Sequence, residues 1–205
     1  MVKPRLSSRL AAICFAAILL QLALGTALGG TTHPARYERP FCAVAIEPVT
    51  LGETTSIVRV GRCFATFAEE VGYLSHGRLR LPAGATADQF SLGQLNASIQ
   101  GVTIIGRDYE DPNYSCNVFG PCLDWTVDND FGCTGGRNYV AASMPVVGGF
   151  NWNNQVSSTK AFAGCSTNQN FENTNYGGAL LNCLPNCAGM GVMNDATSSK
   201  QWRDL

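Results

Sequence analysis

Trp152-Asn153-Asn154-Gln155-Val156-Ser157-Ser158 and Met193-Asn194-Asp195-Ala196-Thr197-Ser198-Ser199 are the two stretches that decide the fold. Each opens on a large apolar residue, continues with two Asn or Asp residues and two variable ones, and ends on Ser-Ser. A second element precedes each of them. Tyr109-Glu110-Asp111-Pro112-Asn113-Tyr114-Ser115-Cys116 lies ahead of the first, and Phe171-Glu172-Asn173-Thr174-Asn175-Tyr176-Gly177-Gly178 ahead of the second. Both carry an aromatic residue, a Glu, and a second aromatic five positions after the first. Two elements recurring in the same order mean two copies of one supersecondary unit. From residue 101 onward the chain is rich in Gly, Asn, Ser and aromatics, and long helical periodicity is absent. Short apolar runs between turn residues predict many short strands, in a sandwich or barrel.

These motifs resemble those of the βγ-crystallin family. Its Greek-key units carry a corner made of an aromatic, four variable residues, a second aromatic, one variable residue and a Gly. Residues 171–178 match that corner in full; in the first copy Cys116 stands where the Gly is expected. Calcium-binding members add two Asn/Asp residues, two variable ones, then Ser or Thr, then Ser, which residues 153–158 and 194–199 both match. The resemblance covers residues 101–205, with repeats at 101–163 and 164–205. It implies an all-β fold, two Greek-key motifs forming a βγ-crystallin-like sandwich. Trp152, Phe162 and Trp202, each beside a loop motif, are expected in its core.

The resemblance also implies calcium. Ca²⁺ takes about 6–8 oxygen ligands, which Asn, Asp, Ser and backbone carbonyls supply. The implied ligands are Glu110, Asn153, Asn154, Gln155 and Ser157 from the first copy, and Glu172, Asn194, Asp195, Ala196 and Ser198 from the second. In the family the paired loops contribute to each other's site. Asp195 is the one formal anion in the two loop motifs. Two weak sites are therefore expected, on the order of 10⁻⁴–10⁻³ M as in extracellular modules. Tyr109 to Asn153 spans 44 positions and Phe171 to Asn194 spans 23, so the first copy holds 21 extra residues. Cys122 and Cys133 fall among them, and a disulfide-tied excursion is expected.

The N-terminal half reads differently. Lys3, Arg5 and Arg9 precede an apolar run from Leu10 to Leu24 and a small-residue stretch ending at Gly29, the pattern of a signal peptide over residues 1–29. No second apolar segment of spanning length follows, so no stable membrane insertion is expected after cleavage. Residues 30–99 read as a small α+β module or prosegment. Phe64, Phe67, Val71 and Leu74 share one helical face there, after a strand from Thr55 to Val60. Outside the signal, eight cysteines remain: Cys42, Cys63, Cys116, Cys122, Cys133, Cys165, Cys183 and Cys187. An even number in an exported chain reads as disulfides. About a hundred pairings are possible; pairing of neighbours is the expectation that short spacing favours.

Composition excludes several functions. The chain carries a net charge of −1, and removing three signal-peptide cations leaves −4 with no basic run. Nucleic acid is therefore excluded as a partner. His33 and His76 both lie outside the repeats, so no Ser or Cys there has a histidine in its own domain to activate it. Asp124, Asp128 and Asp130 cluster near Trp125 and read as a solvated strand end rather than an acid/base pair. Three readings remain: a secreted calcium-binding structural or interaction protein, a secreted inhibitor of metalloproteases or killer-toxin-like protein, and, with least support, an enzyme. The implied partners are a secreted protease or a cell-surface target.

Overall fold

The computed structural model describes residues 37–129 and 131–204; the signal-peptide reading, His33 and Asp130 lie outside them. Among the described residues eleven strands are defined: β1 (Phe41–Ala45), β2 (Arg62–Phe64), β3 (Thr103–Tyr109), β4 (Cys122–Val127), β5 (Asn138–Ala141), β6 (Val146–Val147), β7 (Phe150–Asn151), β8 (Ser158–Ala161), β9 (Thr167–Phe171), β10 (Leu180–Cys183) and β11 (Ser199–Arg203). The helices are α1 (Phe67–Leu74) and α2 (Leu92–Ser98). One sheet has the order β2-β1-β4-β3-β8 and the other β10-β9-β11-β5; β6 and β7 form a separate hairpin.

Each copy of the repeat is a Greek key whose fourth strand returns beside its first. β8 pairs with β3, and β11 pairs with β9, both antiparallel. The third strand crosses to the opposite sheet. β5 pairs with β11 of the second copy, Ala141 opposite Lys200. Its counterpart in the second copy has shrunk to one bridge, Cys187 opposite Thr159 of β8. The expected sandwich of two Greek keys is therefore the fold observed.

The extra residues of the first copy are spread over three connections rather than gathered in one excursion. Aligning the copies at their strand pairings places four in the corner between β3 and β4, twelve between β4 and β5, and five between β5 and β8. Cys122 and Cys133 are not joined to each other. The bridges are Cys42–Cys63, Cys116–Cys122, Cys133–Cys165 and Cys183–Cys187, the neighbour pairing expected.

The core between the sheets centres on Trp125 and Trp202, whose rings lie 4.7 Å apart, with Trp152 also buried. Gly106 is required here: a Cβ would come within 2.6 Å of the Trp202 indole nitrogen. Phe162 departs from expectation and is only half-buried. Side chains alternate along a strand. Counting from the Ser-Ser pair, the residue equivalent to Trp202 is Ala161, which faces inward, so Phe162 faces out and joins a second core. A buried ion pair also spans the sheets. Lys200 of β11 bonds the Asp108 carboxylate of β3 and the Thr159 hydroxyl of β8, and the Trp125 indole donates to Asp108 at 2.7 Å.

Residues 37–99 are continuous with this sandwich rather than a module apart. β1 runs parallel to β4 over five residue pairs, and β2 pairs with β1; the described residues from 37 to 204 form one compact unit. The expected strand from Thr55 to Val60 reduces to one bridge, Val58 to Ile46. α1 starts where Thr66 accepts a bond from the Glu69 amide and buries Phe67, Val71 and Leu74. Together with Leu95 and Ile99 they cover the outer face of the first sheet at Val102 and Ile104. Among the described residues no helix is long and apolar enough to cross a membrane.

Beneath α1 lies a cluster of buried charge. Arg107 of β3 grips Asp124 of β4 with two bonds of 2.5 and 2.6 Å. Asp124 is thus a buried ion-pair partner, which corrects the reading of a solvated strand end. The Thr-Ile-Ile run ahead of Arg107 gave no hint that α1 would seal this face. Glu70 of α1 is fully buried beside the pair, and neither of its oxygens has a hydrogen-bond partner. Burial, reinforced by Asp124 and opposed by Arg107, raises its pKa well above the carboxylate range. Such a group binds more protons folded than unfolded, so its stabilising effect is present at low pH and fades as pH rises toward the folded pKa. Glu70→Gln, neutral at every pH, should therefore gain stability over the parent progressively as pH rises from about 4 to 8. Urea unfolding across that range checks this; a gap that does not change with pH would contradict it.

Candidate metal centre

The two aromatic corners fold alike. Tyr109 and Tyr114 meet edge-on at 5.7 Å, and so do Phe171 and Tyr176. In both, the middle Asn and the second aromatic adopt left-handed backbone: Asn113 and Tyr114 at φ 59° and 63°, Asn175 and Tyr176 at φ 54° and 63°. Asn tolerates that region better than most residues. Gly178 also has positive φ (75°), and a Cβ there would crowd Asn173 and Glu172 at 2.8 Å. Cys116 is not left-handed. The four additional corner residues let the chain reach β4 by another path, which Cys116–Cys122 closes. The missing glycine thus leaves the corner intact.

The last Ser of each pair locks its corner, a role the sequence reading did not assign. Ser158 donates its hydroxyl to the Asp111 carbonyl at 2.7 Å and accepts from the Tyr114 amide at 3.0 Å. Ser199 does the same with the Asn173 carbonyl at 2.6 Å and the Tyr176 amide at 3.1 Å. The signal was available, since these serines recur with the motif.

The first Ser of each pair reaches across to the other loop. Ser157 donates to Asp195 Oδ1 at 2.9 Å, and Ser198 donates to Asn154 Oδ1 at 2.9 Å. The backbones cross as well: the Asn154 amide donates to the Thr197 carbonyl at 3.0 Å, and the Asp195 amide to the Val156 carbonyl at 3.2 Å. Asn154 and Asp195 are both left-handed, at φ 58° and 53°. Each loop is tied to its own corner by the Ser157 amide on the Tyr109 carbonyl and the Ser198 amide on the Phe171 carbonyl.

The expected ligands therefore fall into two clusters. Glu110, Ser157 and Asp195 form one, with the Asn194 amide group bonded to Asp195 Oδ2 at 2.8 Å. Glu172, Ser198 and Asn154 form the other, with the Gln155 side chain on the Asn154 carbonyl at 2.8 Å. Asn153 and Ala196 stand apart from these exchanges. The Asn153 amide bonds the Asn151 side chain, and Ala196 packs against the core. The Glu172 carboxylate accepts from the Ala179 amide at 3.0 Å, closing the second corner hairpin. Glu110 is half-buried and accepts from the Tyr37 hydroxyl at 3.3 Å. Desolvation first, then the charges of Asp111 and Asp195, raise its pKa against the lowering by Tyr37.

The donors fit a hard cation in kind. Each cluster pairs a side-chain carbonyl or carboxylate oxygen with a hydroxyl at 2.9 Å, beside corner carbonyls. Among the described residues no group of three His, Cys, Asp or Glu side chains gathers; the first pair holds one carboxylate, Asp195, and the second, Ser198 with Asn154, is neutral.

No protein-family model matches the sequence, and no curated protein matches it. Solved structures similar to it include the N-terminal domain of protein S, at 18% identity and a TM-score of 0.35, covering 49% of this chain and 97% of that one. A mutant βγ-crystallin domain from Clostridium beijerinckii is similar at 21% identity and a TM-score of 0.31, over 48% of this chain and 97% of its own. A βγ-crystallin from an archaeon is similar at 18% identity and a TM-score of 0.31, over 50% and 98%.

Ser158→Ala and Ser199→Ala each leave a corner amide and carbonyl without their partner. Each should cost about 1–3 kcal/mol in urea unfolding, and equally with or without calcium. A loss confined to calcium-containing buffer would show instead that these hydroxyls are ligands.

Proposed function

We propose that this is a secreted, calcium-binding interaction module in which metal tightens the contact between two Greek keys. The observation that carries this is the reciprocal crossing, Ser157 to Asp195 and Ser198 to Asn154. Each pair places two oxygens, one from each copy of the repeat, beside a corner backbone. Bound calcium would supply positive charge between these oxygens. The chain's own part is to hold them there: the left-handed backbone of Asn154 and Asp195 presents their side chains to the opposite loop. Asp195 brings the formal anion of its pair, and Ser157 brings a hydroxyl that is already close. Glu110, Asn194, Gln155 and Glu172 border the two clusters, while Asn153 and Ala196 shape the turns. Secretion is supported by the signal-like N-terminus and by four disulfides.

Calcium should raise the melting temperature because it binds the folded chain, by only about 1 kcal/mol for a weak site at millimolar ion. Asp195→Ala should remove more of that shift than Asn154→Ala. Because Asp195 and Ser157 belong to one cluster, Asp195→Ala and Ser157→Ala together should remove no more of it than the first alone. Asp195→Ala with Ser198→Ala should add. Mutants that lose stability equally with and without calcium would refute the metal and leave the fold untouched.

A second reading, a metalloprotease inhibitor, draws on one feature. The first corner ends in a tight turn over Asn117 and Gly120, braced by Cys116–Cys122, with Phe119 52% exposed at its tip. If this loop engages a secreted protease, the parent should slow a thermolysin-type enzyme and Phe119→Ala should not. Equal inhibition by both, or none by either, would remove this reading.

A further inference from the structure

The outer face of β3 and β8 meets the segment over residues 86–91 across a cleft of about 820 Å³. That volume lies within the range of small-molecule sites, about 300–1,000 Å³. Arg107 and Lys160 lie on its floor, Phe162 and Phe90 line its apolar part, and Tyr114 of the first corner forms a wall. The cleft exists because residues 37–99 fold over the first sheet; the two Greek keys do not make it alone.

Charge in the cleft is unbalanced. Arg107 is neutralised by its two bonds to Asp124. Lys160 has no such partner: its ammonium sits 3.9 Å from the centre of the Tyr114 ring, and no carboxylate among the described residues forms an ion pair with it. The Asp88 side chain also lines the cleft and is held as an anion by the Thr86 hydroxyl, its own backbone amide adding to this. A half-buried ammonium on a π-face with no carboxylate of its own favours an anion, and the phenylalanines beside it favour an apolar body.

We propose that this cleft binds a small organic monocarboxylate, its carboxylate on Lys160 and its body against Phe90 and Phe162. The site is separate from the paired loops and does not depend on the calcium reading. A body with one apolar face could be an aryl-alkanoate or a uronic sugar, which share this chemistry. Titration calorimetry on the full folded chain at low salt separates the two, using 3-phenylpropionate and D-galacturonate as probes and their methyl esters as uncharged counterparts. At least one acid should bind, and its ester about tenfold more weakly, as expected for loss of one charge-assisted bond. Lys160→Met should weaken the acid by a similar factor and Lys160→Arg should largely retain it. Asp88→Lys, at an exposed position, should tighten binding. The proposal is overturned if neither acid binds, if acid and ester bind alike, or if neither Lys160→Met nor Asp88→Lys alters affinity.

Discussion

The exchange between the Asn154 and Asp195 loops is the constraint on which the rest of the domain depends. Each loop hands a backbone amide to the other and receives a serine hydroxyl in return. Neither arrangement is available to one repeat alone. The loops also fix where their strands begin. β8 and β11 start at Ser158 and Ser199, the residues that lock the two corners. Loop, corner and strand are thus one hydrogen-bonded unit, and its duplicate forms the opposing half. The corner asparagines extend the stitching: the Asn113 amide reaches the Ala188 carbonyl and the Asn175 amide the Ala142 carbonyl, each beside the other copy's third strand.

Buried polar groups tie the interior together. Lys200, Asp108, Thr159 and Trp125 meet between the sheets, and Asn168 of β9 adds a bond to the Thr159 hydroxyl at 2.7 Å. Removing a partner from a buried pair leaves an uncompensated charge, which typically costs about 3–5 kcal/mol. Burial lowers the Lys200 pKa, and Asp108 works against that. The network therefore resists sliding of one sheet over the other. On the outer face, the Arg107–Asp124 pair plays a different part. It is sealed under α1 with Glu70, at a position where an isolated Greek key would face water.

The duplicated half of the chain was legible because its motifs are backbone requirements. Asn154, Asp195, Asn113 and Asn175 all adopt left-handed conformations that Asn and Asp tolerate, so they recur at matching positions. The neighbour pairing of cysteines was suggested by short spacing, which is tightest at Cys116–Cys122 and Cys183–Cys187 and loosest at Cys133–Cys165, 32 residues apart. Phe162 was expected inside because it lies beside a loop motif, but it follows Ser158 by four positions where Trp202 follows Ser199 by three, and a shift of one position reverses the face of a strand. The role of residues 37–99 was not legible. Parallel pairing of β1 with β4 joins segments about eighty residues apart, and nothing local in Phe41 to Ala45 specifies that partner. Of the residues in the two loop motifs, Ser157 meets Asp195 and Ser198 meets Asn154 across the repeats. Asn153 and Ala196, which the motif also includes, take no part in that exchange: the Asn153 backbone amide bonds the Asn151 side chain and Ala196 packs against the core.

Calcium anomalous scattering from crystals grown with calcium well above about 1 mM tests the central claim most directly. The account predicts a peak between Ser157, Asp195 and the Glu110 backbone, and a weaker one between Ser198, Asn154 and the Glu172 backbone. Ordered loops with both hydroxyl-to-Asx bonds in place and no anomalous peak at either cluster would contradict it.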